Sequence, residues 1–379
     1  MRFAHLADTH LGYRQYGLYE REKDYYNVFE EIVTSIVQER PDFVIHSGDL
    51  FEFSRPPTQA LLHVQKGFLA FKDAGIPIYA VPGNHDTVMR KNALPPQLLF
   101  KEFGLKVLSS NHPYFNHEDI FLGGSPYVSK YHSASLEDCL KQLEKASQNY
   151  AKSILILHQG IDKYLPFEYE LELAQIPETF DYYAMGHIHN RILDDFGEGK
   201  MAYPGSTDIW KLDEVGNYQK KGKGYYLVDL AGDLVDVEAV NLDLPREFIQ
   251  KEMEYSQRKA EIEQLKKEIL KLPQKPVLHL TVKGGNFSRV EAFEELNKAF
   301  SDLVLTMRPN FQIESLENEK ILRKGHSLDV KSMLRERLSD LDSELVTNLA
   351  LELLQEIGEG RLENAEELTH KFYEELYDH

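Results

Sequence analysis

The chain has 379 residues, 42% of them hydrophobic, with a net charge of -19 from 43 Lys and Arg against 62 Asp and Glu. A chain of this length buries a sizeable core and is expected to divide into more than one domain, while its single cysteine, Cys139, excludes an intramolecular disulfide or a cysteine-rich zinc site and fits a reducing compartment. No run approaches the roughly 20 apolar residues of a membrane span and strand-like character begins at Arg2, so the expectation is a cytoplasmic protein with no membrane partner and no cleavable signal.

Up to about residue 240, short apolar runs rich in β-branched and aromatic residues alternate with helical stretches, the pattern of a layered α/β domain. Strands are expected near 2–7, 42–47, 77–81, 120–124, 153–158, 182–186, 200–203 and 224–230. Between the first of these, helices near 57–72 and 92–103 carry apolar residues more than halfway round, including Leu61, Leu62, Val64, Phe68, Leu69 and Phe71, then Leu94, Leu98, Leu99 and Phe103. A helix on one sheet needs one apolar stripe, so the surplus suggests a second buried face; a thicker internal core is the other reading. Ala231-Gly232-Asp233 reads as the turn of a closing hairpin between YYLVDL and LVDVEAV. Residues 246–272 are charged and helix-permissive until Pro273 and Pro276, and a strand, helix, strand order from Val277 to about Ser315 implies a small α+β domain. Beyond Ser327, leucines recur at helical spacing from Leu334 to Leu353, and another helix is expected at 363–377 after Gly358 and Gly360.

Five short motifs lie where an apolar strand gives way to a turn: Asp8-Thr9-His10, Gly48-Asp49, Gly83-Asn84-His85-Asp86, His158-Gln159-Gly160 and Gly186-His187-Ile188-His189. In a layered α/β fold the carboxyl ends of neighbouring strands converge on one edge, where ligands are usually held. Oxygen and imidazole donors without thiolates suit a hard or borderline divalent ion. Two ions about 3.5 to 4 Å apart need a bridging carboxylate, for which Asp49 is the natural candidate. His187 and His189, two apart on an extended segment, point the same way and can reach adjacent ions. A lone histidine at a strand end is more often structural; five motifs in this order are a specific signal.

The acidic balance argues against a nucleic-acid partner, because DNA binding rests largely on Lys and Arg neutralising phosphates. Yet the 67 residues from Ile313 to His379 hold 17 acidic against 8 basic residues, nearly half the excess. Elsewhere basic residues cluster with aromatics: Tyr13, Arg14, Tyr16, Tyr19 and Arg21; Arg90 and Lys91; and Lys220, Lys221 and Lys223 beside Tyr225. Solvated loop charge is the equal alternative for each. Of the other histidines, His5 and His46 read as core or supporting groups, and His112, His117, His132 and His370 as solvated.

The motif set resembles the calcineurin-like metallophosphoesterase superfamily, whose pattern is D-x-H, G-D, G-N-H-[DE], H and G-H-x-H. Within it, FAHLADTHLGYRQY, SGDLFEFSRP, GNHD, LHQG, YYAMGHIH and YPGS are most similar to the meiotic recombination eleven and SbcD-type double-strand-break repair nucleases, in the short archaeal form. The resemblance is most specific over residues 1–230 and looser to 325. It implies a two-sheet metallophosphoesterase nuclease domain at 1–240, an α+β DNA-capping domain at 246–325, and a helical segment at 328–379 that binds a coiled-coil ABC-type ATPase. It implies two Mn2+ per subunit, with Mg2+ as the alternative: one held by Asp8, His10, Asp49 and His189, the other by Asp49, Asn84, His158 and His187. His85 would donate the proton to the leaving oxygen, and Tyr13, Arg14, Arg55, Arg90 and Lys91 would contact DNA. The implied activity is 3′ to 5′ exonuclease on double-stranded ends and endonuclease on single strands, by a nucleoid-associated homodimer paired through the helices near 57–72 and 92–103. Some relatives carry a histidine three residues after the bridging Asp, associated with exonucleolytic strand handling; here that position is Glu52. A phosphomonoesterase shares the metal motifs, and a non-catalytic DNA-end scaffold shares the fold.

Overall fold

The computed structural model describes residues 1–87, 94–232 and 234–313, and beyond them 346, 348–353, 368, 369 and 372. Two units separate: Met1–Val282 with Arg289–Phe311, and Lys283–Ser288 with Gln312–His379. In the second, residues 348–353 are helical, so Leu349 and Leu353 of the leucine stripe lie on a helix. The stripe from Leu334 to Leu345, and His370, fall outside the described residues.

The first unit is built from β1 (Arg2–Leu6), α1 (Tyr19–Glu39), β2 (Phe43–His46), α2 (Thr58–Asp73), β3 (Ile78–Ala80), β4 (Leu105–Val107), β5 (Tyr114–His117), β6 (Ile120–Ser125), α3 (Ser133–Ser147) and β7 (Lys152–His158). It continues with β8 (Tyr182–Gly186), β9 (Ile192–Phe196), β10 (Gly199–Tyr203), α4 (Val215–Lys221), β11 (Gly224–Asp229) and β12 (Asp236–Asn241). These strands make two six-stranded sheets in the orders β12-β11-β1-β2-β3-β4 and β5-β6-β7-β8-β10-β9. In the first sheet β1 to β4 run parallel; in the second β6, β7, β8 and β10 do.

Side chains alternate across the central strands, as a strand's two-residue period requires. Phe3, Phe43 and Ile45 point inward to meet Ile154, Ile156, Tyr182 and Ala184 of the facing sheet. Their neighbours Ala4 and Val44 point outward against Val28, Phe29 and Ile32 of α1 and Val64 and Phe68 of α2. On the other side Leu155 and Leu157 pack on Leu136, Leu140 and Leu143 of α3. The result is four layers, helix, sheet, sheet, helix, in which the central strands are buried on both faces and read as continuous apolar runs.

The register positions the site. Leu6 stands opposite His46 and His46 opposite Ala80, while His158 stands opposite Gly186 in the second sheet. The loops that leave these strands therefore emerge side by side from one edge.

A third sheet, in the order β13-β14-β15, comprises β13 (Phe248–Glu254), β14 (Val277–Lys283) and β15 (Thr306–Gln312), with α5 (Arg258–Ile269) and α6 (Arg289–Phe300). The strand, helix, strand order after Val277 is observed. The helical reading of 246–272 is corrected at its start: β13 is an edge strand, FIQKEME, anchored by buried Phe248 and Met253 with three exposed polar residues between. The helix near 92–103 is a 3-10 segment, Pro96–Phe103. Along it and α2, Leu61 and Leu98 pack against the internal core, whereas Leu62, Leu69 and Leu99, and Leu94 just before the segment, are exposed.

Candidate metal centre

Asp8 and His10 leave β1, Asp49 leaves β2, and Asn84 and His85 leave β3; His158 ends β7, and His187 and His189 follow β8. They converge. His10 and His189 face each other through their Nε2 atoms at 3.1 Å. The Asn84 Oδ1 lies 3.0 Å from both His158 Nε2 and His187 Nδ1. Asp49 stands between these groups, its Oδ2 3.2 Å from His158 Nε2 and 3.8 Å from His10 Nε2. Its Oδ1 accepts the main-chain N–H of His85 at 2.9 Å. Asp8 accepts the main-chain N–H of His187 at 3.1 Å. Donor atoms of Asp8, His10 and His189 gather within 4.8 Å of one another, and so do those of Asp8, Asp49 and His158.

The backbone is bent to achieve this. Asp8, His10, Asp49 and His187 have φ of +52°, +45°, +53° and +88°, a left-handed conformation that costs a side-chain-bearing residue about 1–3 kcal/mol. Such strain persists where the surroundings over-determine it, and here it gathers at one edge. Two glycines make room: a Cβ on Gly48, itself at φ +96°, would overlap the His158 ring, and one on Gly83 would overlap the Asp49 carboxylate.

The electrostatics are those of a site that wants positive charge. Burial opposes ionisation of Asp49, but His158, His10 and His85 outweigh it and hold the carboxyl well below the usual range. Burial likewise disfavours a charged His158, yet Asp49 and Asp8 prevail and push it up to about 9. His187, desolvated and beside His158, is lowered to about 3. Asp86 is raised to about 7 by burial and by Asp49; it accepts main-chain N–H groups from Leu50, Phe51 and Gly83, tying the two motif loops together.

Divalent cations fit these residues. Two ring nitrogens 3.1 Å apart have the spacing of adjacent ligands that each lie about 2.1 Å from one ion. His10 Nδ1 lies 2.9 Å from Glu52 Oε2 but off the line of a hydrogen bond. The remaining nitrogens of the other ligand candidates meet oxygens: His158 Nδ1 the Ser47 carbonyl at 2.8 Å, His189 Nδ1 the Glu214 carboxylate at 3.0 Å, and His187 Nε2 Glu170 at 3.6 Å. Metal-binding histidines are commonly backed in this way. Sequence reasoning missed Glu214 and Glu170, which belong to no motif and reach the site through loop closure; the signal available was a carboxylate following YPGS. A cleft of about 310 Å³ opens on the cluster, lined by Asp49, Asn84, His85, His187, His189 and Trp210 among others.

The candidate DNA contacts divide. Arg14 and Arg55 are exposed, and Tyr13 is half-buried against Trp210; Arg90 and Lys91 lie outside the described residues. Two members of the basic clusters are corrected: Arg21 is buried and paired with Asp24 and Asp208, and Lys223 is buried and paired with Glu214, because each completes an ion pair beneath the site instead of facing solvent. His5 is satisfied by Tyr182 and Ser47, whereas His46 meets Thr9 through Nε2 and its buried Nδ1 has no hydrogen-bond partner among the described residues. His117 is half-buried against Tyr79 and Phe43, not solvated.

Two facing sheets with a nitrogen and oxygen donor set at their shared edge define a metallophosphoesterase, and residues 1–191 match the family model for the calcineurin-like phosphoesterases. The chain is 37% identical to the DNA double-strand break repair protein Mre11 of Methanocaldococcus jannaschii, covering 98% of each. It is 35% identical to that of Methanococcus maripaludis, over 94% of this chain and 95% of the relative, and 33% identical to that of Sulfolobus acidocaldarius, over 98% of each. The chain belongs to the Mre11 family of calcineurin-like phosphoesterases.

Proposed function

We propose that this protein is a two-metal, manganese-dependent phosphodiesterase that cleaves DNA at double-strand breaks. The observation that carries the reading is the convergence of buried Asp8, His10, Asp49 and His158 with half-buried Asn84, His187 and His189 at the shared edge of the two sheets. Asp8, His10, Asp49 and His189 hold one cation and Asp49, Asn84, His158 and His187 the other, with Asp49 common to both. Divalent cations held by these residues would supply Lewis acidity toward the phosphodiester and toward water.

The chain's own groups do the rest. Asp8 and Asp49 supply the negative charge that keeps two cations close. His85 is held from below by its main-chain bond to Asp49, and its Nδ1–H donates to the Glu52 carbonyl at 2.9 Å. In the doubly protonated ring the Nε2 proton is then the one available to the departing 3′ oxygen, and the ring that remains is the neutral Nδ1–H tautomer. Trp210 donates Nε1–H to Glu52 Oε2 at 3.0 Å and lies against the rings of His10, His85 and His189, shielding this side from water.

Tyr13, Arg14, Arg55, Arg90 and Lys91 contact the DNA backbone, and residues 246–325 cap it. The helical segment at 328–379 binds a coiled-coil ABC-type ATPase. A second copy pairs through α2 and the segment Pro96–Phe103, whose exposed leucines want a cover. No described helix is long and apolar enough to cross a membrane, and the DNA substrate puts the protein on the nucleoid. It degrades double-stranded ends 3′ to 5′ and cuts single strands.

The test is hydrolysis of end-labelled duplex and single-stranded DNA, beside a nitrophenyl phosphate monoester, with manganese, magnesium or EDTA and with or without the ATPase. The expected result is DNA cleavage that needs manganese and stops with EDTA. Hydrolysis of the monoester with intact DNA would mean a phosphatase instead.

A further inference from the structure

Behind His189 lies a buried ion pair that the reaction above does not use. Glu214 ends the short turn Leu212–Glu214 and folds back into the protein. Its Oε1 accepts the Lys211 main-chain N–H at 2.8 Å and meets His189 Nδ1 at 3.0 Å. Its Oε2 accepts from Lys223 Nζ at 2.7 Å, from Ser206 Oγ at 2.8 Å and from the Trp210 main chain at 3.3 Å. Lys223 Nζ also donates to the Ser206 carbonyl at 3.2 Å. Both side chains are 4% exposed.

A buried ion pair adds little stability over a well-packed apolar pair of similar size, so its presence here calls for another return. A carboxylate only accepts hydrogen bonds. His189 must therefore carry a proton on Nδ1, which leaves Nε2 free on the side where His10 waits at 3.1 Å. Lys223 and Ser206 occupy the second oxygen, so Glu214 cannot swing round and become a ligand itself.

We infer that Glu214, clamped by Lys223 and Ser206, is the positioning residue for the first cation: it fixes the tautomer and orientation of His189. The inference rests on the reading of His189 as a metal ligand.

The experiment compares two neutral double variants that both lose the ion pair and differ in the acceptor offered to His189. Glu214→Gln with Lys223→Met keeps an oxygen facing Nδ1; Glu214→Leu with Lys223→Met does not. Manganese is titrated into each by calorimetry and by quenching of Trp210, the chain's single tryptophan, whose ring lies 5.0 Å from that of His189. The Gln variant should bind both ions within about threefold of wild type, and the Leu variant should bind one of the two about 10–100-fold more weakly. Equal affinities in the two variants would overturn the inference. If the Leu variant does not fold, ring-nitrogen NMR of the metal-free wild type decides, with His189 assigned by its loss in His189→Gln: a proton on Nδ1 of the neutral ring supports the inference and one on Nε2 overturns it. His189→Gln also separates the two readings. Two ions of unchanged affinity in that variant would refute the ligand role itself, whereas loss of one ion there, with equal affinities in the double variants, would refute the role of Glu214 alone.

Discussion

His85 touches Asp49 through its main chain and the cleft through its ring, so His85→Gln removes the ring without removing the bond that seats Asp49. If the ring donates a proton, the substitution should slow DNA cleavage 10² to 10⁴-fold, about 3–5 kcal/mol of barrier. Metal stoichiometry and DNA affinity should stay near wild type. A nitrophenyl phosphodiester, whose leaving group needs no proton, is the discriminating substrate. An equal defect on it would assign His85 a positioning or ligand role. The motif residues were legible because each ends a buried strand and donor types were restricted to His, Asp and Asn. Their supports were not. Glu214 follows His189 by 25 residues and meets it after the chain has passed through β9 and β10, a closure that no local spacing encodes. Glu52 was singled out as a departure, but its contacts with His10 and Trp210 became visible through the fold alone.

Among the elements, strands buried on both faces read clearly, as KSILILH and YYAMG do. Edge strands read unevenly: β12 stands in LVDVEAV, the return of the expected hairpin, whereas β9 and β13 were not anticipated. β9 (ILDDF) and β13 (FIQKEME) carry acidic or mixed charges on their exposed positions, so their alternation is too weak to tell from a loop or a helix. β13 is nonetheless tied to the first sheet's helix layer, because Arg246, just before it, pairs with Asp24 of α1 at 2.7 Å with both side chains buried. Arg246→Ala leaves Asp24 with Arg21 as its remaining partner and should destabilise the protein by about 1.5–3 kcal/mol, the scale of lost hydrogen bonds to a charged group, read as a lower midpoint in urea; an unchanged midpoint would show that the third sheet is held by its apolar contacts alone. The exposed leucines argue at the same scale. Leu62→Asp and Leu99→Asp place charge on the outward positions, whereas Leu61 and Leu98 belong to the core. If two copies pair here, burying an unpaired carboxylate should split them, and light scattering should report the mass of one chain. A folded variant that keeps the mass of two would move the interface elsewhere.

For the whole molecule, nearly half the excess negative charge lies after Ile313, and the nuclease unit carries its donor set well before that point. The division of labour predicts that a chain ending at residue 327 keeps cleavage of single-stranded DNA while losing association with the coiled-coil ATPase. A pull-down that still recovers the ATPase would place the binding surface in the first unit. Two cations sharing Asp49 are the centre of the proposed chemistry. Anomalous scattering from crystals grown with manganese measures this directly. Two peaks should appear at the edge of the sheets with Asp49 between them, and Asp49→Ala should weaken both, since closely spaced cations repel without a bridging anion. Two fully occupied peaks in Asp49→Ala, or a single peak in the wild type, would contradict it.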